Sequence, residues 1–204
     1  MPILRYLSCC LMLFTCAGNL SAQASFGLKA GPNISHFRMT RIPSHYGDIN
    51  VSQIYGFQAG LVLEQPINRH LALNAELLFA QKGGRWALAG VSDPGTEAES
   101  SRLQYLNLPV FLRLIPIERW SFDLGLEGGY LLISPDESRF MERADFSWLA
   151  GATFHISDSM HASLHYLVGQ VRVGEGSFRD EETGILGVYY FRTRSLQLGV
   201  SWFW

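Results

Sequence analysis

The sequence predicts an all-β fold, an eight-stranded antiparallel up-and-down transmembrane barrel with its apolar face outward, preceded by a cleaved signal peptide. Three observations carry this reading. Apolar and polar residues alternate with a period of two along eight segments, as strands with two unlike faces require. Short and long links between these segments alternate. The chain ends on Leu196, Leu198, Val200, Trp202 and Trp204, apolar at every second position and interleaved with Gln197, Gly199, Ser201 and Phe203. Two terminal Trp residues fit a lipid-facing strand whose rings lie in the interfacial belt. The edge of a soluble sandwich is the other reading of this one strand.

The start of the chain says where it goes. Arg5 precedes an uncharged apolar run over 6–16, and small residues follow. Ala22-Gln23-Ala24 meets the small-x-small rule, so cleavage is expected after Ala22 or Ala24, and 1–24 is set aside as a signal peptide. A lipoprotein signal with Cys16 as the lipidated residue competes, but Thr15 directly before it fits poorly. Cys9, Cys10 and Cys16 all lie within the signal, which leaves 25–204 without a thiol, a disulfide or a Cys metal site. That remainder, about 180 residues, suffices for one domain. With 16 basic and 18 acidic residues there is no electrostatic case for nucleic acid. No stretch after the signal reaches the ~20 consecutive apolar residues of a spanning helix. Such a chain crosses a bilayer only as a closed barrel, because closure satisfies every strand backbone group.

The expected strands, in order, are 25–37, 53–64, 70–82, 102–115, 120–134, 145–156, 160–173 and about 189 to the end. In the first, Phe26, Leu28, Ala30 and Ile34 oppose Lys29, Asn33 and Ser35. In the second, Phe57, Ala59, Leu61 and Leu63 oppose Gln58, Gly60 and Glu64. The third is clearest, with Leu71, Leu73, Ala75, Leu77 and Phe79 against Asn74, Glu76, Ala80 and Lys82. The fourth sets Leu106, Leu108, Val110, Leu112 and Leu114 against Asn107, Pro109, Phe111 and Arg113. In the fifth, Phe122, Leu124, Leu126 and Tyr130 face away from Asp123, Gly125, Glu127 and Gly129. The sixth and seventh place Trp148, Ala150 and Phe154, then Leu164, Tyr166 and Val168, opposite small, hydroxylic and His residues. Pro109 removes a ladder donor, so a bulge or a break in the ladder facing the lumen is expected there.

The apolar sets of strands two to seven carry no charge. A charge on the lipid face at mid-bilayer costs ~2–4 kcal/mol, so this separation is what lipid demands. A lipocalin-like soluble barrel with the alternation inverted stays open on this ground alone. The links help to decide. Those at 65–69, 116–119 and 157–159 are tight, whereas those at about 38–52, 84–101, 135–144 and 174–188 are long and polar. That is the pattern of bacterial outer-membrane barrels, with turns in the periplasm and loops outside.

Eight strands leave room only for side chains, so no open pore is expected. The inward set includes Lys29, Glu64, Glu76, Lys82, Arg113, Asp123, Glu127, His155 and His165. Buried charges must be paired. The expectation is a structural lumen network in which Arg113 and Lys29 neutralise Glu76, Asp123 and Glu127, the planar fork of Arg113 suiting carboxylates. An ion or proton path is its rival. His161-Ala162-Ser163 offers a nucleophile and a base in sequence, but two residues apart on one strand is ordinary spacing. His36, His45, His70 and His155 lack metal-ligand spacing. No catalytic residue, metal or cofactor is therefore expected.

The functional expectation is a non-enzymatic surface or secretion-associated protein, with the second long link (Trp86, Asp93-Pro94-Gly95, Glu97-Ala98-Glu99) as its contact surface for envelope partners. A lipid-modifying barrel enzyme and a soluble periplasmic barrel are the alternatives. Aromatics form two belts, with Phe26, Trp120, Phe122, Phe154, Trp202 and Trp204 below. Phe37, Tyr55, Phe57, Trp86, Tyr130, Phe146, Tyr189 and Tyr190 stand above. At ~2.3 Å of vertical rise per residue, Arg194 lies ~23 Å above Trp204, where Arg192 and Arg194 would meet lipopolysaccharide phosphates.

Phe26-Gly27-Leu28-Lys29-Ala30-Gly31-Pro32-Asn33-Ile34-Ser35 resembles the first strand of the small outer-membrane β-barrel family that includes PorT, common in Bacteroidetes. Tyr105-Leu106-Asn107-Leu108-Pro109-Val110-Phe111-Leu112-Arg113 resembles its fourth, and Gly128-Gly129-Tyr130-Leu131-Leu132 its fifth. His165-Tyr166 stands where that family would have Arg-Tyr, and Pro32 where an apolar residue is usual. The resemblance implies an outer-membrane barrel and little biochemistry. PorT itself is implied in a secretion pathway, a role that carries over only with matching residues. The ending with Trp202 and Trp204 resembles the signal by which the outer-membrane assembly machinery recognises its substrates.

Overall fold

The computed structural model describes residues 24–40, 49–88, 99–133, 143–171, 174–179 and 186–204. Residues 1–23 of the expected signal segment, with the cleavage position after Ala22, lie outside them. The strands are β1 (Ser25–Thr40), β2 (Ile49–Ser52), β3 (Ile54–Asn68), β4 (Leu71–Leu88), β5 (Glu99–Ile117), β6 (Trp120–Ile133), β7 (Ala144–Ser157), β8 (Met160–Gly169), β9 (Gly174–Arg179) and β10 (Leu186–Phe203). Eight of them follow one another around the sheet in the order β1-β3-β4-β5-β6-β7-β8-β10, and β10 returns to pair with β1. All pairs are antiparallel, so the sheet is a closed meander. The amide of the terminal Trp204 donates to the carbonyl of Phe26 and fastens the seam at its lower end.

Alternation decides which way each strand faces. Leu73 is 41% exposed, Leu198 50% and Trp202 54%, while Lys29 and Asp123 are each 2% and Arg113 3%. A soluble barrel requires the opposite order. The apolar face is on the outside.

Three tight turns close one end, at residues 69–70, 118–119 and 158–159. The first is set by Asn68, whose side-chain oxygen accepts the amide of His70 at 2.8 Å, a local bond that competes with continued strand. At the other end the strands run further than alternation suggests. β4 continues to Leu88, β5 begins at Glu99, and β2 pairs with the top of β4. Residues 84–88 and 99–101, which read as loop, are ladder, because backbone pairing above a membrane needs no apolar face. The expected seventh strand is shorter than 160–173. β8 stops at Gly169, and β9 takes over as the partner of β10 from Phe191 upward.

Pro109 is accommodated by a break without a bulge. The β4–β5 ladder runs from the turn end to Ala75–Val110 and resumes at Leu78–Asn107 in unchanged register. On its other side Pro109 pairs with Glu127 normally. Pro32 does the same to the closing seam, where the β1–β10 ladder skips Gly31 and Pro32. The strands still approach closely there, since a Cβ on Gly31 would lie 2.0 Å from the carbonyl oxygen of Leu198.

Phe37 departs from its expected place in the upper aromatic belt. It is buried and packs in the lumen with Leu103, Tyr105 and Leu131. Its position in the alternation, two residues beyond the inward Ser35, accounts for this. The lower belt is on the outside, with Trp120 against Phe154 at 5.0 Å between ring centroids. The side chains of Trp86, Tyr189 and Tyr190 lie outside the described residues.

Candidate functional site

Among the described residues, most of the ionisable side chains that pair with one another concentrate in the lumen. Strand alternation delivers them there, and glycines make room. A Cβ on Gly199 would lie 2.4 Å from Cε of Lys29, so the absence of a side chain on β10 leaves the slot through which Lys29 runs. Lys29 reaches past β3 and donates to both carboxylate oxygens of Glu76, at 2.9 and 3.0 Å.

Arg113 is the hub. Its Nε and Nη2 donate to Oδ1 and Oδ2 of Asp123 at 2.9 and 3.0 Å, the bidentate geometry that a planar fork favours. Nη1 donates to Glu64, and Nη2 also to the Thr153 hydroxyl at 3.0 Å. That hydroxyl in turn donates to Oδ2 of Asp123 at 2.6 Å, and Nε2 of His165 lies 2.9 Å from the same oxygen. Phe111 roofs the group, 5.2 Å from the His165 ring and 5.6 Å from the guanidinium carbon.

Glu127 lies apart from both cations proposed for it. It pairs with Lys82, whose ammonium also stands 5.6 Å from the Tyr105 ring. The reason is stagger. Contacts such as Lys29–Glu76, Lys82–Glu127 and His165–Asp123 each skip a strand across the bore, so they depend on how far neighbouring strands are offset. Higher still, Thr193 donates to Asp145 at 2.9 Å, and above the ion pairs sit Phe37, Leu103, Tyr105 and Leu131.

A second cluster lies at the short-turn end, and the sequence reading missed it. Ser121 Oγ is 3.0 Å from Nε2 of His155, whose Nδ1 is 3.1 Å from Nε2 of His161. The His161 ring packs on Phe203 at 4.8 Å. The signal was present, because Ser121 shares the parity of Asp123 and the β7–β8 turn sets His155 opposite His161. The His161–Ser163 pairing weighed from sequence is replaced by other bonds. Ser163 donates to the Gly199 carbonyl at 3.4 Å, while His161 meets His155. Among the described residues no three His, Asp or Glu side chains stand together as a metal-ligand set.

Asp93-Pro94-Gly95, Glu97 and Ala98 of the second long link lie outside the described residues. Glu99 and Trp86 are backbone partners at the top of the β4–β5 pair. Arg192 and Arg194 are half-buried on the outward face, opposite Arg38 and His36 of β1.

Comparison with known proteins agrees with this architecture. No curated protein matches the chain in sequence. OprG, an outer membrane protein of Pseudomonas aeruginosa, is similar in fold, with a TM-score of 0.53, 8% identity, and coverage of 90% of this chain and 97% of that one. Ail, the attachment invasion locus protein of Yersinia pestis, superposes with a TM-score of 0.48 at 14% identity over 89% of this chain and 99% of its own. The family model for the outer membrane protein beta-barrel domain matches residues 19–169. Its breadth covers the small-barrel resemblance without singling out the group that includes PorT. The chain is an outer-membrane β-barrel protein and belongs to the outer membrane protein beta-barrel domain family.

Proposed function

We propose that this barrel is a non-enzymatic anchor that holds its long links at the cell surface for contact with ligands or envelope partners. The observation that supports this is the filled bore. Ion pairs block it at the levels of Glu76, Asp123 and Glu127, and an apolar plug lies above them. A bore of this kind conducts nothing, which leaves the long links as the part through which contacts would be made. Short turns in the periplasm and long links outside follow the rule for bacterial barrels. A PorT-like place in secretion is a narrower form of the same reading, in which the partner at the links belongs to the envelope. The test is an epitope inserted at Asp93-Pro94-Gly95 and stained on intact cells. Staining without permeabilisation is the expected result, and staining only after lysis overturns the orientation.

Ser121, His155 and His161 favour one second reading, a hydrolytic barrel enzyme, because a hydroxyl, an imidazole base and a second imidazole stand in line. Against it, Ser121 is fully buried, and the group that would orient the base is not a carboxylate. A Ser121→Ala strain with an altered lipid A profile would favour the enzyme, and an unchanged profile the anchor.

A further inference from the structure

The outward face of the β1–β10 seam carries a cation cluster for which no carboxylate partner stands among the described residues. Arg38 stands directly opposite Arg192, and His36 directly opposite Arg194. Opposed residues of an antiparallel pair share a face, about 4.5–5.5 Å apart at Cβ, and like charges so placed destabilise the pair. All four point away from the lumen, since Phe37, Thr193 and Ser195 between and beside them are buried inside it. Among the described residues none of the three arginines takes part in an ion pair. Nε of Arg192 is buried and meets no hydrogen-bond partner. Glu175 is the backbone partner of Tyr190, two residues further up β10 from Arg192.

Height and surroundings select the ligand. In the same ladder, Leu28 pairs with Trp202 ten residues below the Arg38–Arg192 pair, which puts the arginines ~23 Å above the lower belt. The apolar band of such barrels is about 25 Å tall, so the cluster lies at its upper edge. Immediately beneath it runs an apolar row across four strands. Tyr55 pairs with Ile34, Ile34 with Leu196, and Leu196 with Tyr166. Tyr55, Leu196 and Tyr166 are exposed. Cations above a greasy row describe a molecule with an anionic head and hydrocarbon tails. Guanidinium forks match phosphate oxygens bidentately.

We propose that His36, Arg38, Arg192 and Arg194 form a binding site for a phosphate of outer-leaflet lipopolysaccharide, whose acyl chains lie along Tyr55, Ile34, Leu196 and Tyr166. The phosphate relieves the repulsion across the seam, so the lipid acts as a clasp on the line where the barrel closes. The site rests on the long links facing outward, which the epitope on intact cells tests separately.

The purified full-length barrel in detergent is titrated with phosphorylated lipid A, with dephosphorylated lipid A and with inorganic phosphate, and bound lipid is read by native mass spectrometry. Phosphorylated lipid A is expected to bind about tenfold or more tighter than the dephosphorylated form, since hydrogen bonds between ionised partners are the strong ones. The combined variant Arg38→Gln, Arg192→Gln, Arg194→Gln loses that preference. Arg38→Gln alone, at an exposed position, weakens it and serves if the combined variant does not fold. Leu196→Ser weakens both lipids and leaves the ratio unchanged. Equal binding of the two lipids, or a preference retained in the arginine variants, overturns the site. Displacement of the lipid by equimolar inorganic phosphate assigns it to a solute anion and overturns the lipid. Loss of the preference on Glu175→Gln, with the arginine variants unaffected, overturns it equally.

Discussion

Among the described residues, Arg113 and Asp123 each make four lumen hydrogen bonds to three partners. Three partners on β3, β6 and β7 converge on Arg113, and Asp123 shares two of its oxygens among Arg113, Thr153 and His165. Removing one member of a buried, hydrogen-bonded ion pair leaves the other charged and unpaired, at a cost of about 3–5 kcal/mol. Arg113→Met is therefore expected to lower the temperature at which the folded, fast-migrating gel band converts to the unfolded one. An unmoved conversion temperature would mean that the pairs contribute no folding energy. Replacing Asp123 as well, with Leu, restores part of the loss, because the orphaned carboxylate is then gone. This pair was legible in the sequence. A tight turn at 118–119 makes Arg113 and Asp123 direct neighbours across one hairpin. Lys82–Glu127 was not, because nothing in the order of residues states the offset of β4 against β6.

At the scale of the strand, closure depends on small residues at the seam. Gly31 faces the Leu198 carbonyl so closely that any Cβ displaces β10, and a backbone oxygen cannot swing aside as a side chain can. Gly31→Val is expected to abolish the compact gel band in a refolding assay. Gly128→Ala is the control, since nothing lies within 4 Å of the position its Cβ would take, and it should refold as the parent does. The C-terminal strand adds a second expectation. Trp202→Ser with Trp204→Ser removes the exposed aromatics at its lower end. If these rings form the assembly signal, the outer-membrane yield in cells drops while refolding in detergent changes little. Equal losses in both would make the rings structural only. The alternation of these strands was legible because one face meets lipid and the other does not. β9 and the tops of β4 and β5 were not, since above the membrane that contrast lapses and ladder without alternation looks like loop.

The whole molecule is inverted relative to a soluble barrel, and one substitution separates the two. Leu198 is half exposed midway between Trp202 and Arg194. Leu198→Arg at that depth costs about 2–4 kcal/mol in a bilayer, whereas a surface change on a soluble protein falls within about ±0.5 kcal/mol. Urea titration of the vesicle-inserted protein reads the difference, and a shift inside the smaller range argues against lipid contact. The same inversion made Phe37 easy to misplace. An aromatic near the top of a strand suggests a belt, and only the count from Lys29 through Asn33 and Ser35 sends it inward.

The two proline gaps have unequal consequences for how the cylinder comes together. The one at Pro109 lies between strands that are neighbours in the chain, where a link keeps both edges in place while rungs form. The one at Pro32 lies between the first strand and the last, which no link joins. There the join is divided into a lower run from Gly27 to Ala30 and an upper run from Asn33 to Thr40, and each must find its own alignment. Amides beside Leu198 and Gly199 should then be the first to trade hydrogen for deuterium, marking the line along which an intact cylinder parts.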